Sequence, residues 1–174
     1  MPDLAPSEIA ITTWIDKLLS TKTRATLGLR LFGWRNIPMM LYVRPSVIAL
    51  SPQRIVVRLP LNRRNRNHWG SMYFGALSVG ADCAIGLLVM ELIAQRGQNI
   101  SLIFKDCHAQ FHKRAMGAVD FTCEQGNEIA GLIEQAIATG ERVDKAIQVI
   151  AHVPSLGTEP VASYTLTLSL KRVS

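Results

Sequence analysis

Residues 72–93 form the longest apolar run in the chain, and Asp82 is its one charge before Glu91. A helix of about twenty such residues is long enough to cross a bilayer, so the run reads either as a membrane span or as a helix inside a protein core. Small residues recur along it (Gly75, Ala76, Ser78, Gly80, Ala81, Ala84, Gly86), and no second run of this kind occurs. The segments on either side alternate like sheet strands, and a helix wrapped by a sheet must be apolar nearly all round. A lone intramembrane Asp would also need a partner. The pattern favours a buried central helix and no membrane association.

The rest of the chain supplies the wrapping. Ser7 caps a predicted helix over 7–20, with Ile11, Trp14, Ile15, Leu18 and Leu19 as its stripe. A second helix covers 23–32 and is stopped by Asn36-Ile37-Pro38. Residues 43–50 and 55–61 are extended and flank the turn Ser51-Pro52-Gln53-Arg54, which makes them a hairpin. A polar loop over 62–67 leads through His68-Trp69-Gly70-Ser71 into the long helix, and Gly97 suits its C-cap. A long strand follows over 100–113; Lys113-Arg114-Ala115-Met116-Gly117 turns the chain and 118–124 runs back. A helix over 127–139 ends at Gly140, a strand covers 142–153, and 154–160 is a loop. In the last strand Ala162, Tyr164, Leu166, Leu168 and Leu170 take one face and Ser163, Thr165, Thr167 and Ser169 the other. The order predicts an α+β domain, an antiparallel sheet packed around one helix. A single domain spans 1–174, with 1–40 as a helical extension and 43–173 as the core.

Composition changes little of this. A hydrophobic content of 48% argues against disorder, and a net charge of +6 favours anionic partners without implying nucleic acid. The one arginine cluster, Arg63, Arg64 and Arg66, has no aromatic residues interleaved. Cys83, Cys107 and Cys123 are odd in number and form no CxxC, so reduced thiols in a cytoplasmic protein are expected. The first fifteen residues contain Asp3 and Glu8 and lack a secretory pattern. The dinucleotide, P-loop, HExxH and GxSxG motifs are all missing; Ser78, in Gly75-Ala-Leu-Ser-Val-Gly80, misses the last by one residue.

Candidate chemistry therefore gathers on the long helix. Gly75 and Asp82 lie about two turns and roughly 10 Å apart on nearly one face, with Ser78 between them. A carboxylate in so apolar a segment has a raised pKa unless something pairs with it, and such carboxylates are enriched at functional sites. The first N–H groups of the helix sit at its positive end and can polarise a carbonyl oxygen. The helix start and Asp82 are too far apart to touch the same carbonyl within one chain, so a shared site predicts a dimer. The alternative for Asp82 is a hydrogen bond capping a neighbouring loop, and the residues alone leave both open.

Asn67, Gly70, Gly75 and Asp82, together with Phe111-His-Lys-Arg-Ala-Met-Gly117, resemble the hotdog-fold thioesterases. The likeness is to the phenylacetic-acid-pathway (PaaI-like) type and to the little-characterised DUF4442 group. It covers about residues 43–173 and implies a sheet wrapped around the long helix, with helices added at the N-terminus. By this resemblance Asp82 is the general base or nucleophile, Gly75 N–H the oxyanion donor, and Asn67 a positioner of water or substrate. The implied reaction is hydrolysis of an acyl thioester of coenzyme A or of a carrier protein. Coenzyme A enters as part of the substrate, and no separate cofactor or metal is implied. The acid and the donor come from opposite subunits of a homodimer, or of a tetramer built from two.

Where those enzymes have His-Gly-Gly at the helix start, this chain has Tyr73-Phe74-Gly75. That change reshapes the acyl pocket around Phe74 and keeps a second reading open, an acyl-CoA-binding sensor without turnover. Arg63, Arg64 and Arg66 could hold coenzyme A phosphates or could simply be a solvated loop. His68 could line the site. Asp106, His108 and His112 share a strand face, but no fourth ligand for a metal is evident. Trp14, Trp34 and Trp69 read as packing residues.

Overall fold

A computed structural model describes residues 20–173. The helix expected at 7–20, all but its last residue, and Trp14 lie outside the described residues. Helix α1, Thr21–Asn36, starts at Ser20, whose hydroxyl accepts from Thr23 N–H at 3.3 Å. It stops before Ile37, the residue ahead of a proline. Pro38 then opens a short helix α2, Pro38–Val43, because a residue without an N–H is tolerated in a first helical turn. The extended stretch expected from 43 therefore begins later, at Ser46.

The sheet has six strands: β1 Ser46–Leu50, β2 Ile55–Leu59, β3 Ile100–Phe111, β4 Val119–Cys123, β5 Val143–His152 and β6 Pro160–Arg172. All neighbours are antiparallel, in the order β1-β2-β4-β5-β6-β3. The β1–β2 hairpin closes through Ser51 N–H to Arg54 O at 2.8 Å, as its turn residues predict. β4 runs back relative to β3 but not beside it, because β5 and β6 lie between them. β3 is thus an edge strand paired with β6, and a bulge between Phe104 and Cys107 shifts their register.

The long helix α3, Phe74–Ala94, packs across β2, β4 and β5 of the sheet. Helix α4, Gly126–Thr139, packs against α3, β5 and β6. Gly126 has the Pro52 carbonyl oxygen 2.0 Å from where a Cβ would stand, so only glycine lets the β1–β2 turn rest on the start of α4. Along α3, Ala76, Leu77, Gly80, Ala81, Ala84, Ile85, Leu88 and Leu92 are buried. Gly80 sits against Phe121 of β4, whose ring would be 2.3 Å from an added Cβ. The opposite face is different. Phe74 and Met90 are exposed, while Ser78, Asp82 and Gly86 between them are partly so. Among the described residues α3 is the one helix long and apolar enough to cross a membrane, and here it serves as a core helix. It is apolar all round, yet one stripe of it is left uncovered within the chain.

Loop 62–66 is anchored from inside. Asn65 is fully buried, and its amide donates to Val43 O and Pro60 O, both at 2.9 Å. Its backbone carbonyl accepts from Tyr73 N–H at 2.7 Å, which ties the loop to the residue that caps α3.

Candidate active site

The start of α3 carries no side-chain cap. Leu77 N–H reaches Tyr73 O at 3.1 Å, but the N–H groups of Phe74, Gly75 and Ala76 have no partner among the described residues. They are the orphan donors of a helix N-terminus, pointing along the positive end of the helix dipole. The ring of Tyr73 lies over Gly75, 2.6 Å from where a Cβ would be. A side chain there would have to displace the half-exposed Tyr73 ring. That ring also meets the ring of Phe74, at 4.7 Å between centroids.

One and two turns on, Ser78 and Asp82 face β3 and β6. Ser78 donates to Phe74 O at 3.1 Å, within the helix. Asp82 is half-buried and makes no hydrogen bond or ion pair among the described residues. It caps no loop among the described residues. Burial pushes its carboxyl above the usual carboxylate range. Cys107 of β3 lies near enough for the Asp82 charge to raise its thiol pKa further, after burial and Asp106. Tyr164 of β6 completes this wall. It is 1% exposed, its buried hydroxyl has no well-formed hydrogen bond, and burial pushes its pKa up to about 12. Ser78 is close enough to lower that pKa somewhat, but the Ser78 proton is committed to Phe74 O. Nothing in the residue pattern marks Tyr164 beyond an inward strand position; only the fold sets it opposite Ser78.

A cleft of about 480 Å³ opens beside the start of α3, lined by Asn67, His68, Phe74, Phe111, Lys113 and Arg114 among others. Phe74 and Phe111 meet edge to face at 6.5 Å, and Phe111 meets Tyr164 at 6.1 Å. The aromatic series thus runs from the cleft toward the wall holding Asp82. Asp82 and Ser78 do not line the cleft themselves. Asn67 is largely occupied in shaping its own loop: its side-chain oxygen accepts from Trp69 N–H at 2.9 Å, and its amide donates to Ser71 Oγ at 3.0 Å. One amide N–H remains.

Arg63, Arg64 and Arg66 are exposed and do not line the cleft; Arg64 lies over the Tyr42 ring, 5.4 Å from its centroid. The cleft's cations are Lys113 and Arg114, placed there by the turn that follows β3. Trp34 and Trp69 are 68% and 67% exposed, which corrects their reading as packing residues. Asp106 accepts from Thr167 and His112 pairs with Ser163, and no group of three potential metal ligands occurs among the described residues.

A long helix packed across an antiparallel sheet, with the strand order above, is the hotdog fold. The chain belongs to the DUF4442 family, described as a domain of unknown function, whose model matches residues 29–169. Solved structures agree on the fold. A Chlorobaculum tepidum protein of unknown function is 12% identical over 88% of this chain and 98% of its own, with a TM-score of 0.73. A Pseudomonas aeruginosa protein of unknown function, with thioesterase given as its expected activity, is 22% identical over 85% and 96%, with a TM-score of 0.70. A Q49A variant of a Pseudomonas aeruginosa thioesterase is 14% identical over 85% and 94%, with a TM-score of 0.63. No curated protein sequence matches the chain.

Proposed function

We propose that this protein hydrolyses acyl thioesters, with Asp82 of one protomer and the Gly75 N–H of its partner acting on the same carbonyl. The observation that carries this is the Asp82 carboxylate: half-buried on an apolar helix, raised in pKa, and without a hydrogen bond or ion pair among the described residues. An unpaired buried charge destabilises a fold, so it persists where it has work to do. The names of several structural neighbours support the same chemistry.

The step follows from the groups present. Asp82 takes a proton from water, and the oxygen attacks the thioester carbonyl carbon. The carbonyl π electrons move to oxygen, where the free N–H groups at the start of α3 receive the charge. The C–S bond then breaks, the thiolate takes the proton back from Asp82, and a carboxylic acid and a thiol leave. Asp82 could instead attack directly, forming an anhydride that water opens. The uncovered stripe of α3 and the free edge of β3 lie side by side, since Phe74 touches Phe111 and Asp82 acts on Cys107. A second copy seated there would cover apolar surface and bring a second helix start to Asp82.

One observation favours a sensor without turnover: the Tyr73 ring covers Gly75, the residue whose N–H must reach the oxyanion. The two readings separate in one assay. Purified protein and Asp82→Asn are mixed with a panel of acyl-CoAs and a thiol reagent. Thiol release by wild type, lost in Asp82→Asn, is expected. Release that survives the substitution overturns the mechanism, and binding without release gives the sensor.

A further inference from the structure

The charge of the chain is uneven. Positions 17–81 hold eleven of its nineteen Lys and Arg and none of its thirteen Asp and Glu, so this stretch is +11 and the rest is −5. Part of that charge is committed inside the fold: Arg30 donates to Pro45 O and Ser46 Oγ, Arg54 pairs with Glu124, and Arg58 pairs with Asp120. Arg35, Arg44, Arg63, Arg64 and Arg66 are exposed and form no ion pair among the described residues. The fold gathers these five around α1 and α2. Arg35 lies in the last turn of α1, and Arg44 follows the end of α2. Asn65 donates to Val43 O and Arg64 lies over the exposed Tyr42 ring, so loop 62–66 is held against α2. Between these cations α1 has two apolar faces. Leu29 and Gly33 are buried against the domain. Leu27, Leu31 and Trp34, spaced by four and three residues, share the opposite face and are 51%, 62% and 68% exposed. Ile37, Met39 and Tyr42 continue this exposed apolar surface along α2. Leu and Trp on an outer helix face bordered by arginines are the pattern of a helix lying at a lipid headgroup layer.

We infer that the outer face of α1 and α2 docks on an anionic bilayer surface. Leu27, Leu31 and Trp34 enter the boundary between headgroups and acyl chains, while Arg35, Arg44 and the arginines of loop 62–66 meet the lipid phosphates. The uniform positive sign opposes a second copy as the occupant, since two such faces would set arginines against arginines. The aliphatic side chains between the cations suit hydrocarbon. A nucleic acid would need aromatic faces for its bases to stack on, and Leu27, Leu31 and Met39 offer none. The lack of membrane association expected from the sequence concerned α3, which is a core helix; α1 and α2 lie on the bilayer without crossing it. Loop 62–66 also reaches the start of α3, through Tyr73 N–H to Asn65 O, so the docked face and the cleft share this loop. The inference does not depend on thioester hydrolysis.

The test uses the full chain and phosphatidylcholine vesicles made with and without phosphatidylglycerol. Sedimentation with the anionic vesicles at low salt is expected, and its loss at high salt or without phosphatidylglycerol. Arg63→Ser, Arg64→Ser and Arg66→Ser together are expected to weaken partitioning about a hundredfold, about fivefold for each charge. Leu31→Ser is expected to weaken it about tenfold. Brominated lipid is expected to quench the indole fluorescence of the bound protein, and to quench it less in Trp34→Phe. All of these side chains are exposed, so thermal melts are expected to match wild type. Failure to sediment with anionic vesicles, equal binding to neutral ones, or partitioning unchanged in the arginine variant overturns the inference. Quenching unchanged in Trp34→Phe also overturns it, and would mean that residues 1–19 or a second copy cover α1. Binding to an oligonucleotide in place of vesicles overturns it as well. No readout uses turnover, so a failure here leaves the proposed hydrolysis standing.

Discussion

Gly80 fixes how deeply α3 sits in the sheet, and Gly80→Ala measures it. A Cβ at this position would lie 2.3, 2.4 and 2.8 Å from Cε2, Cζ and Cδ2 of Phe121. Carbon atoms rest at about 3.5–4.0 Å, so helix or ring must yield by more than an ångström. Phe121 is fully buried in β4 and cannot swing aside. Overpacking of this kind costs about 1–3 kcal/mol, and three ring atoms at such distances argue for the upper end. Alanine restores about 1 kcal/mol of helix propensity. The net is a loss of about 2 kcal/mol, or a Tm fall of about 4–8 °C in a chain of this size. Gly131, mid-way along α4 with open space where its Cβ would be, is the control; there alanine raises stability by up to about 1 kcal/mol. Calorimetry on both variants decides. A Gly80→Ala protein as stable as wild type refutes the packing. Asp82 is two residues along and on the opposite face, so the same substitution is expected to lower turnover as well.

Tyr164→Phe removes a buried hydroxyl that lacks a good partner, so the variant is expected to match or exceed wild-type stability by about 1 kcal/mol in denaturant titration; a loss of that size would mean the hydroxyl is well bonded. The raised Asp82 pKa has two consequences. As a base, Asp82 must be ionised, so kcat/KM is expected to rise with pH through a value above the usual carboxylate range. For stability, the folded state holds the Asp82 proton more tightly than the unfolded chain, so this group's contribution declines as pH rises from the unfolded pKa through the folded one. Asp82→Asn is expected to flatten that decline; an unchanged slope would show that the carboxylate is solvated. Of the three thiols only Cys107 is exposed, so one equivalent of a thiol reagent is expected to react with the native protein, slowly because burial and Asp106 raise its pKa. Two or more equivalents would show Cys83 or Cys123 accessible.

Much of the fold was legible because its signals are local. The apolar run marks α3, the strict alternation marks β6, and Ser51-Pro52-Gln53-Arg54 marks the hairpin. Pairing is not local. Nothing in residues 100–124 shows that β3 leaves β4 for β6, and the bulge at Phe104–Cys107 carries no residue signature. The extended reading of 43–50 takes in Val43, but Pro38 starts a helical turn that carries it into α2. Spacing places Gly75, Ser78 and Asp82 on one helix face, and the resemblance to the thioesterases supplies the roles of Gly75 and Asp82. The arginines of 62–66 form the denser charge cluster in sequence, yet the turn after β3 places Lys113 and Arg114 at the cleft. Tyr164 was read only as an inward strand position, because its neighbour Ser78 is 86 residues away in sequence.

The central claim is a site built from two copies, and mixing two disabled chains tests it most directly. Asp82→Asn lacks the base; Gly75→Pro lacks the N–H at a first-turn position where proline is tolerated. Each alone is expected to be inactive. When they are unfolded together and refolded, half of the dimers are mixed, and each mixed dimer has one complete site, so about one quarter of wild-type thioester hydrolysis should return. A mixture as inactive as its parts, with both variants folded and dimeric, would contradict the account.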